Sequence, residues 1–348
     1  MIAALALSLA LAVSGPANQG SLRPLQVPMP PIKIFPAPPP PVLDATAWML
    51  WAVRENAELG SLDPDTPRPF ASIAKLMTAI LTVENGGLEE ETTISTLAAG
   101  TPTGYLGQPE VLAGEVWAIE DLLANILVQS GNDAAVALAE HVSEDVEMFV
   151  EQMNAKAAEI GMTQTVFLTP NGLDTSGQVS TPRDLITMGM YSLRYPELLH
   201  TMRIKHLTWR PGNREIEVDS TNRLLGPFPG FGGLKTGETA AAGQVLLSYV
   251  DNGPTGLVGV VLGSSARRVA TRELLAWGLT ALGPRDHFYA AAAGTDLAAA
   301  FPDWYQVRIK APQLLDPGER DPDTLTPLTE NLLAAYHDLL PAILGGTP

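Results

Sequence analysis

The chain has 348 residues, 46% of them hydrophobic and 17% charged, a formal net charge of -17 and no cysteine. That length and apolar content suit a large buried core in one domain or two and exclude a disordered chain. The acidic balance excludes the basic face that nucleic acid or anionic lipid needs, and the missing cysteine excludes disulfides and thiolate chemistry.

Residues 1–13 form an apolar run of export-signal length, too short to span a bilayer, although no Lys or Arg precedes Arg23. Residues 1–15 are therefore predicted to be a signal peptide, and the protein to be exported to the periplasm or the cell wall and its surroundings. Residues 16–41 are crowded with proline, ending in Pro38-Pro39-Pro40-Pro41, and read as a semi-rigid polyproline II linker. A catalytic domain is predicted over 42–283 and a short C-terminal extension over 284–348.

Within that domain, residues 47–53 read as a buried strand and 60–69 as turn-forming. After Pro67 and Pro69, the residues Ile73, Leu76, Met77 and Ile80 recur at helical spacing, with Ala74 and Leu81 filling other directions. A helix apolar almost all round is a buried central one. Further helices are predicted at 120–128 and 133–141, around Val146, Phe149, Val150 and Met153 up to Gly161, and from Thr181 with Pro182 at its first position. The period then changes. Strands are predicted at 215–219, 233–236, 244–250 and 257–262, the last two joined by the turn Asp251-Asn252-Gly253-Pro254, and a helix at 269–282. This order predicts a mixed α/β (α+β) domain: an antiparallel sheet covered by helices, with an adjoining helical subdomain. In the tail, 305–310 is a candidate strand and 328–344 an amphipathic helix.

Three short motifs follow in order: Ser72-Ile73-Ala74-Lys75, Ser130-Gly131-Asn132 and Lys235-Thr236-Gly237. Residues three apart on a helix share a face, so the Lys75 amine can reach the Ser72 hydroxyl as base to nucleophile. Lysine is a base only when neutral, which needs burial or a second cation, and Lys235 can be that cation. Ser72 near a helix start also offers its N–H to an oxyanion. Ser130-Gly131-Asn132 interrupts two helical segments and reads as a loop, in which Ser130 can relay a proton and the Asn132 amide can hold a substrate backbone; equally, Asn132 or Asp133 can cap the next helix. Strand alternation sends Lys235 and Gly237 to one face and Thr236 to the other unless local twist intervenes. A cation and a hydroxyl suit a terminal carboxylate, and the Glu238 N–H can join that of Ser72 in an oxyanion hole.

Residues 70–78, 129–134, 171–174 and 233–239 resemble the low-molecular-mass penicillin-binding proteins that are D-alanyl-D-alanine carboxypeptidases, a likeness running over about 47–282. The resemblance implies the serine β-lactamase/transpeptidase-like fold and no cofactor or metal. It implies Ser72 as the acylated nucleophile, Lys75 as proton acceptor, Ser130 as second active-site serine and Lys235 as a contact for the substrate carboxylate. The expected partners are a peptidoglycan pentapeptide and β-lactam antibiotics as acylating inhibitors. Three features depart from the pattern, the first being the export signal without a basic start. Glu238 sets an acid beside a carboxylate site, and the tail helix carries Glu330 and Asp338 without Lys or Arg, so a C-terminal membrane anchor is not expected. The competing readings are a D,D-endopeptidase acting on crosslinks, a β-lactamase and a catalytically silent wall-binding protein. Against the lactamase, residues 163–174 contain no glutamate to activate a deacylating water.

Overall fold

The structure, a computed structural model, describes residues 39–251 and 256–292. The expected signal peptide, the linker up to residue 38, the turn at 252–255 and both tail elements lie outside the described residues.

In chain order the elements are β1 (Ala47–Ala52), β2 (Ala57–Leu62), a 3-10 turn (Ala71–Ala74), α1 (Lys75–Asn85), β3 (Glu91–Thr93), α2 (Thr96–Ala99) and β4 (Val116–Ala118). Four helices follow, α3 (Ile119–Val128), α4 (Asn132–Ser143), α5 (Val146–Glu159) and α6 (Pro182–Ser192), then a short α7 (Pro196–Thr201). The chain continues through β5 (His206–Trp209), β6 (Ile216–Asp219), β7 (Phe231–Thr239), β8 (Gly243–Asp251), β9 (Gly256–Ser264) and α8 (Arg267–Ala292).

Five strands form one sheet in the order β2-β1-β9-β8-β7, with every pairing antiparallel. Both faces of the sheet are covered, which is why β1 reads as an unbroken apolar run rather than an alternating one. Its residues still alternate: Ala47 and Met49 enter the core shared with α1, α3, α4 and α6, while Trp48, Leu50 and Ala52 enter a second core beneath α8. Trp48 meets Trp277 of α8 edge to face, with ring centroids 6.2 Å apart. Between them they explain the first missed element. Gly60, read as a turn residue, lies in β2, and a Cβ there would stand 2.9 Å from the Trp277 ring. Only a glycine leaves room for that indole, so the glycine marks close packing rather than a turn.

The predicted strand at 215–219 does form, but as β6 it pairs with β5 in a separate two-stranded ribbon, outside the main sheet. Arg214 ties that ribbon to the β3–β4 ribbon by donating to both carboxylate oxygens of Glu115. The expected helix start at Thr181 is borne out: the Thr181 hydroxyl accepts from the Asp184 N–H and Pro182 opens α6. In α1 every residue from Lys75 to Thr82 is buried. None of the helices is long and apolar enough to cross a membrane among the described residues.

Candidate active site

The site begins where the chain turns into α1. Ala71 takes a left-handed φ of 49°, a conformation that costs a non-glycine residue free energy and persists only when its surroundings fix it. Two glycines do so. A Cβ on Gly172, itself at φ 81°, would collide with the Ala71 carbonyl, and one on Gly237 would lie 3.1 Å from the Ala71 Cβ and 2.9 Å from the Ser72 amide nitrogen. The loop at 172 and the strand β7 therefore clamp the turn from two sides and bring the first and third motifs together.

Ser72 is half-buried on the 3-10 turn, and the α-helix starts only at Lys75. The Lys75 amine is fully buried and donates to Ser72 Oγ at 2.9 Å, to Asn132 Oδ1 at 2.6 Å and to the Asn171 carbonyl at 2.6 Å. None of those partners carries charge. Burial, and then the charge of Lys235, hold the Lys75 amine well below the ordinary lysine range, while Asp133 opposes them.

The second motif links α3 to α4. Ser130 adopts a left-handed φ of 70°, and its hydroxyl has no hydrogen-bond partner among the described residues. Asn132 opens α4, and its amide is used at both ends: Oδ1 accepts from Lys75 and Nδ2 donates to the Pro102 carbonyl at 2.9 Å. Neither Asn132 nor Asp133 caps the helix; the N-cap is Gly131 without a side-chain bond. The Asp133 carboxylate instead accepts from the Val111 and Ala134 N–H groups, each at 2.8 Å, and burial pushes its carboxyl up.

On β7, burial overrides the alternation: Lys235, Thr236 and Gly237 are all buried. The strand departs from regular pairing just before them, with φ 101° at Gly233, φ 79° at Leu234 and a register shift against β8. Because β7 is an edge of the sheet, its outer side faces the turn that carries Ser72. The Lys235 amine donates to the Thr236 carbonyl at 2.8 Å and meets no carboxylate among the described residues. Burial first and the Arg267 charge second push its pKa down to about 7. The Thr236 hydroxyl shares a 2.7 Å hydrogen bond with that of Thr221.

Sequence reasoning missed four participants. The Asn171 and Pro102 carbonyls act through backbone that any residue supplies, so the resemblance of the 171–174 stretch marked Asn171 without giving it a role. Thr221 and Arg267 lie far from any motif. Arg267 donates from one nitrogen to the Gly237 carbonyl at 3.1 Å and to the Glu238 carboxylate at 2.9 Å, so the acid after the third motif is paired rather than bare.

The family model described as D-alanyl-D-alanine carboxypeptidase matches residues 35–266. The chain belongs to that family. It is 32% identical over 251 residues to the D-alanyl-D-alanine carboxypeptidase DacC of Escherichia coli, an alignment covering 68% of this chain and 62% of that protein. The chain thus matches under two thirds of that relative's length. It is 33% identical over 223 residues to a D-alanyl-D-alanine endopeptidase of Escherichia coli, covering 63% of this chain and 71% of the relative. Among solved structures, penicillin-binding protein D2 of Listeria monocytogenes, in its cefotaxime-bound form, is 29% identical with a TM-score of 0.62, covering 70% of this chain and all of that one. The carboxypeptidase-family fold is therefore the mixed one anticipated, an antiparallel sheet with helices on both faces.

Proposed function

We propose that this chain is a serine-type D-alanyl-D-alanine carboxypeptidase that removes the terminal D-alanine from peptidoglycan stem peptides through an acyl-enzyme on Ser72. The observation that carries the reading is the fully buried Lys75 amine, 2.9 Å from Ser72 Oγ and bonded otherwise only to uncharged oxygens. Burial holds this amine well below the ordinary lysine range, and in its neutral form it keeps two N–H donors for Asn132 Oδ1 and the Asn171 carbonyl while its lone pair accepts from the Ser72 hydroxyl.

In the acylation step Ser72 Oγ bonds to the carbonyl carbon of the penultimate D-alanine while its proton passes to Lys75. The tetrahedral oxyanion takes the N–H groups of Ser72 and Glu238. Collapse breaks the C–N bond, and the Lys75 proton, relayed by Ser130, leaves with the amine of free D-alanine. Water then attacks the ester, Lys75 takes its proton, and the trimmed peptide departs with Ser72 restored. Lys235 and the Thr236 hydroxyl hold the terminal carboxylate. Asn132, engaged at both ends by Lys75 and Pro102, orients the base as well as offering its remaining N–H to the peptide.

β-Lactams, as strained mimics of the same amide, acylate Ser72 in this reading, in keeping with the cefotaxime-bound relative. The penicilloyl ester persists. From the loop at 163–174 Lys75 receives a backbone carbonyl, that of Asn171, and the stretch contains no glutamate to activate water, which argues against a β-lactamase. The endopeptidase relative favours one second reading, cleavage of D-alanyl crosslinks by the same nucleophile. The domain is assigned to 42–283, following an exported signal peptide at 1–15 and a linker at 16–41, with an extension at 284–348 and action in the periplasm or wall.

The test is product analysis. The intact protein is incubated with a D-alanyl-D-alanine-terminated pentapeptide and, separately, with a crosslinked dimer, and its mass is read after brief benzylpenicillin exposure. Expected are free D-alanine from the pentapeptide, a stable penicilloyl adduct, and loss of both with Ser72→Ala, by more than about 1000-fold for turnover. D-alanine release undiminished in that variant overturns the mechanism; release of monomers from the dimer alone turns the assignment to the endopeptidase.

A further inference from the structure

The third motif ends in an arrangement that the motif itself does not require. Glu238 follows Gly237, and its carboxylate lies 2.9 Å from an Arg267 nitrogen that also donates to the Gly237 carbonyl at 3.1 Å. The two partners differ in how firmly they are held. Arg267 is fixed at the start of α8, where its backbone N–H donates to the Gln244 side chain at 3.1 Å, and Gln244 is the cross-strand partner of Glu238. The Arg267 side chain is 22% exposed, whereas that of Glu238 is 57% exposed. The ion pair with Arg267 is its one side-chain tie among the described residues. The cation is thus pinned and the anion can swing away, at the end of the same strand that presents the Lys235 amine.

We propose that the Glu238 carboxylate is a built-in competitor for anionic substrates: it occupies the Arg267 guanidinium and must yield before a ligand carboxylate gains the full positive field of the third-motif strand. This rests on the carboxypeptidase reading and deepens it, assigning to Glu238 a specificity role that raises the threshold for peptides ending in a carboxylate. Selectivity by a repulsive element near the binding site is a general device, and here it discriminates by charge. An exposed ion pair of this kind is weak, so the competition is worth a few-fold and not orders of magnitude.

The experiment measures second-order acylation of the full chain by benzylpenicillin, which carries a carboxylate, and by its uncharged methyl ester. Wild type is compared with Glu238→Gln and Glu238→Ala. The expected result is a rise of about fivefold for the acid in both variants, with the ester changing less than about twofold. Equal changes for acid and ester, no change, or a slower acid reaction each overturn the proposal, the last by showing that Glu238 serves to position Arg267. Should wild type take up neither compound on Ser72, the failure belongs to the carboxypeptidase reading instead, so the two are told apart by the wild-type arm alone.

Discussion

Lys75 and Lys235 are the same residue type, both buried and near enough for the charge of one to act on the other, and the proposed chemistry asks opposite things of them. Lys75 must be neutral to accept a proton, and Lys235 must be charged to hold a carboxylate. Burial lowers both, but the charge of Lys235 pushes Lys75 further down, so the lysine that keeps its proton helps strip the other. The division has a limit near neutrality, since Lys235 loses its own proton at about 7. Second-order acylation by benzylpenicillin, which reports the free enzyme, is therefore expected to fall as pH rises through about 7. Lys235→Arg keeps its charge at any accessible pH, so its alkaline limb should move upward by more than about 2 pH units even if its maximal rate is lower. Superimposable limbs in the two proteins would remove Lys235 from the binding of the carboxylate.

Between elements, the site is a clamp made of glycines. The strained Ala71 turn is pressed by Gly172 on one side and Gly237 on the other, which ties the position of Ser72 to two segments remote in sequence. Gly172→Ala adds a Cβ 2.6 Å from the Ala71 carbonyl carbon and 3.0 Å from the Ser72 nitrogen, at a backbone φ of 81° that alanine resists. It should destabilise the protein by about 2 kcal/mol or more and slow penicillin acylation at least tenfold. Thermal melting and acylation rates both at wild-type values would show that the loop does not set the turn. These contacts also explain what could be read in advance. Ser72, Lys75, Asn132 and Lys235 announce themselves because the chemistry proposed for them belongs to their side chains, at a spacing that helix and strand geometry interpret. The 3-10 turn beneath Ser72, the bulge before Lys235 and the Asn171 carbonyl leave no such mark, because backbone contacts are indifferent to residue type. Gly60 shows the opposite failure: a glycine needed by the Trp277 ring imitates a turn signal. The helices were legible almost to the residue where a cap or proline marks them, as at Thr181 and Pro182. By contrast α8 begins two residues before, and runs ten beyond, the apolar stretch at 269–282, and so passes the proposed domain boundary at 283.

For the whole molecule, two buried amines are a thermodynamic liability whose size depends on pH. In the unfolded chain Lys235 takes the ordinary lysine value of about 10.4, and in the native state about 7. Between those values the unfolded state binds a proton that the native state does not, so raising the pH favours the native state. Below about 7 both states are protonated and the native state bears the full cost of a buried charge. The same sign holds for Lys75, whose shift is also downward. Stability should therefore rise from pH 7 toward pH 9, by at most about 1.4 kcal/mol per pH unit for each lysine, opposite to the trend of a lysine held in a salt bridge. The chain's net charge of -17 also responds to pH, so the absolute slope mixes local and global effects. Comparing wild type with Lys235→Met removes the global part, because the two differ only in the Lys235 amine and in the push it exerts on Lys75. Denaturant unfolding at pH 7 and pH 9 should show a larger gain for the wild type than for the methionine variant, and the variant should be the more stable of the two at pH 7. Equal gains would mean that Lys235 titrates in the folded protein as it does in water, and the electrostatic coupling on which the proposed base at position 75 depends would go with it.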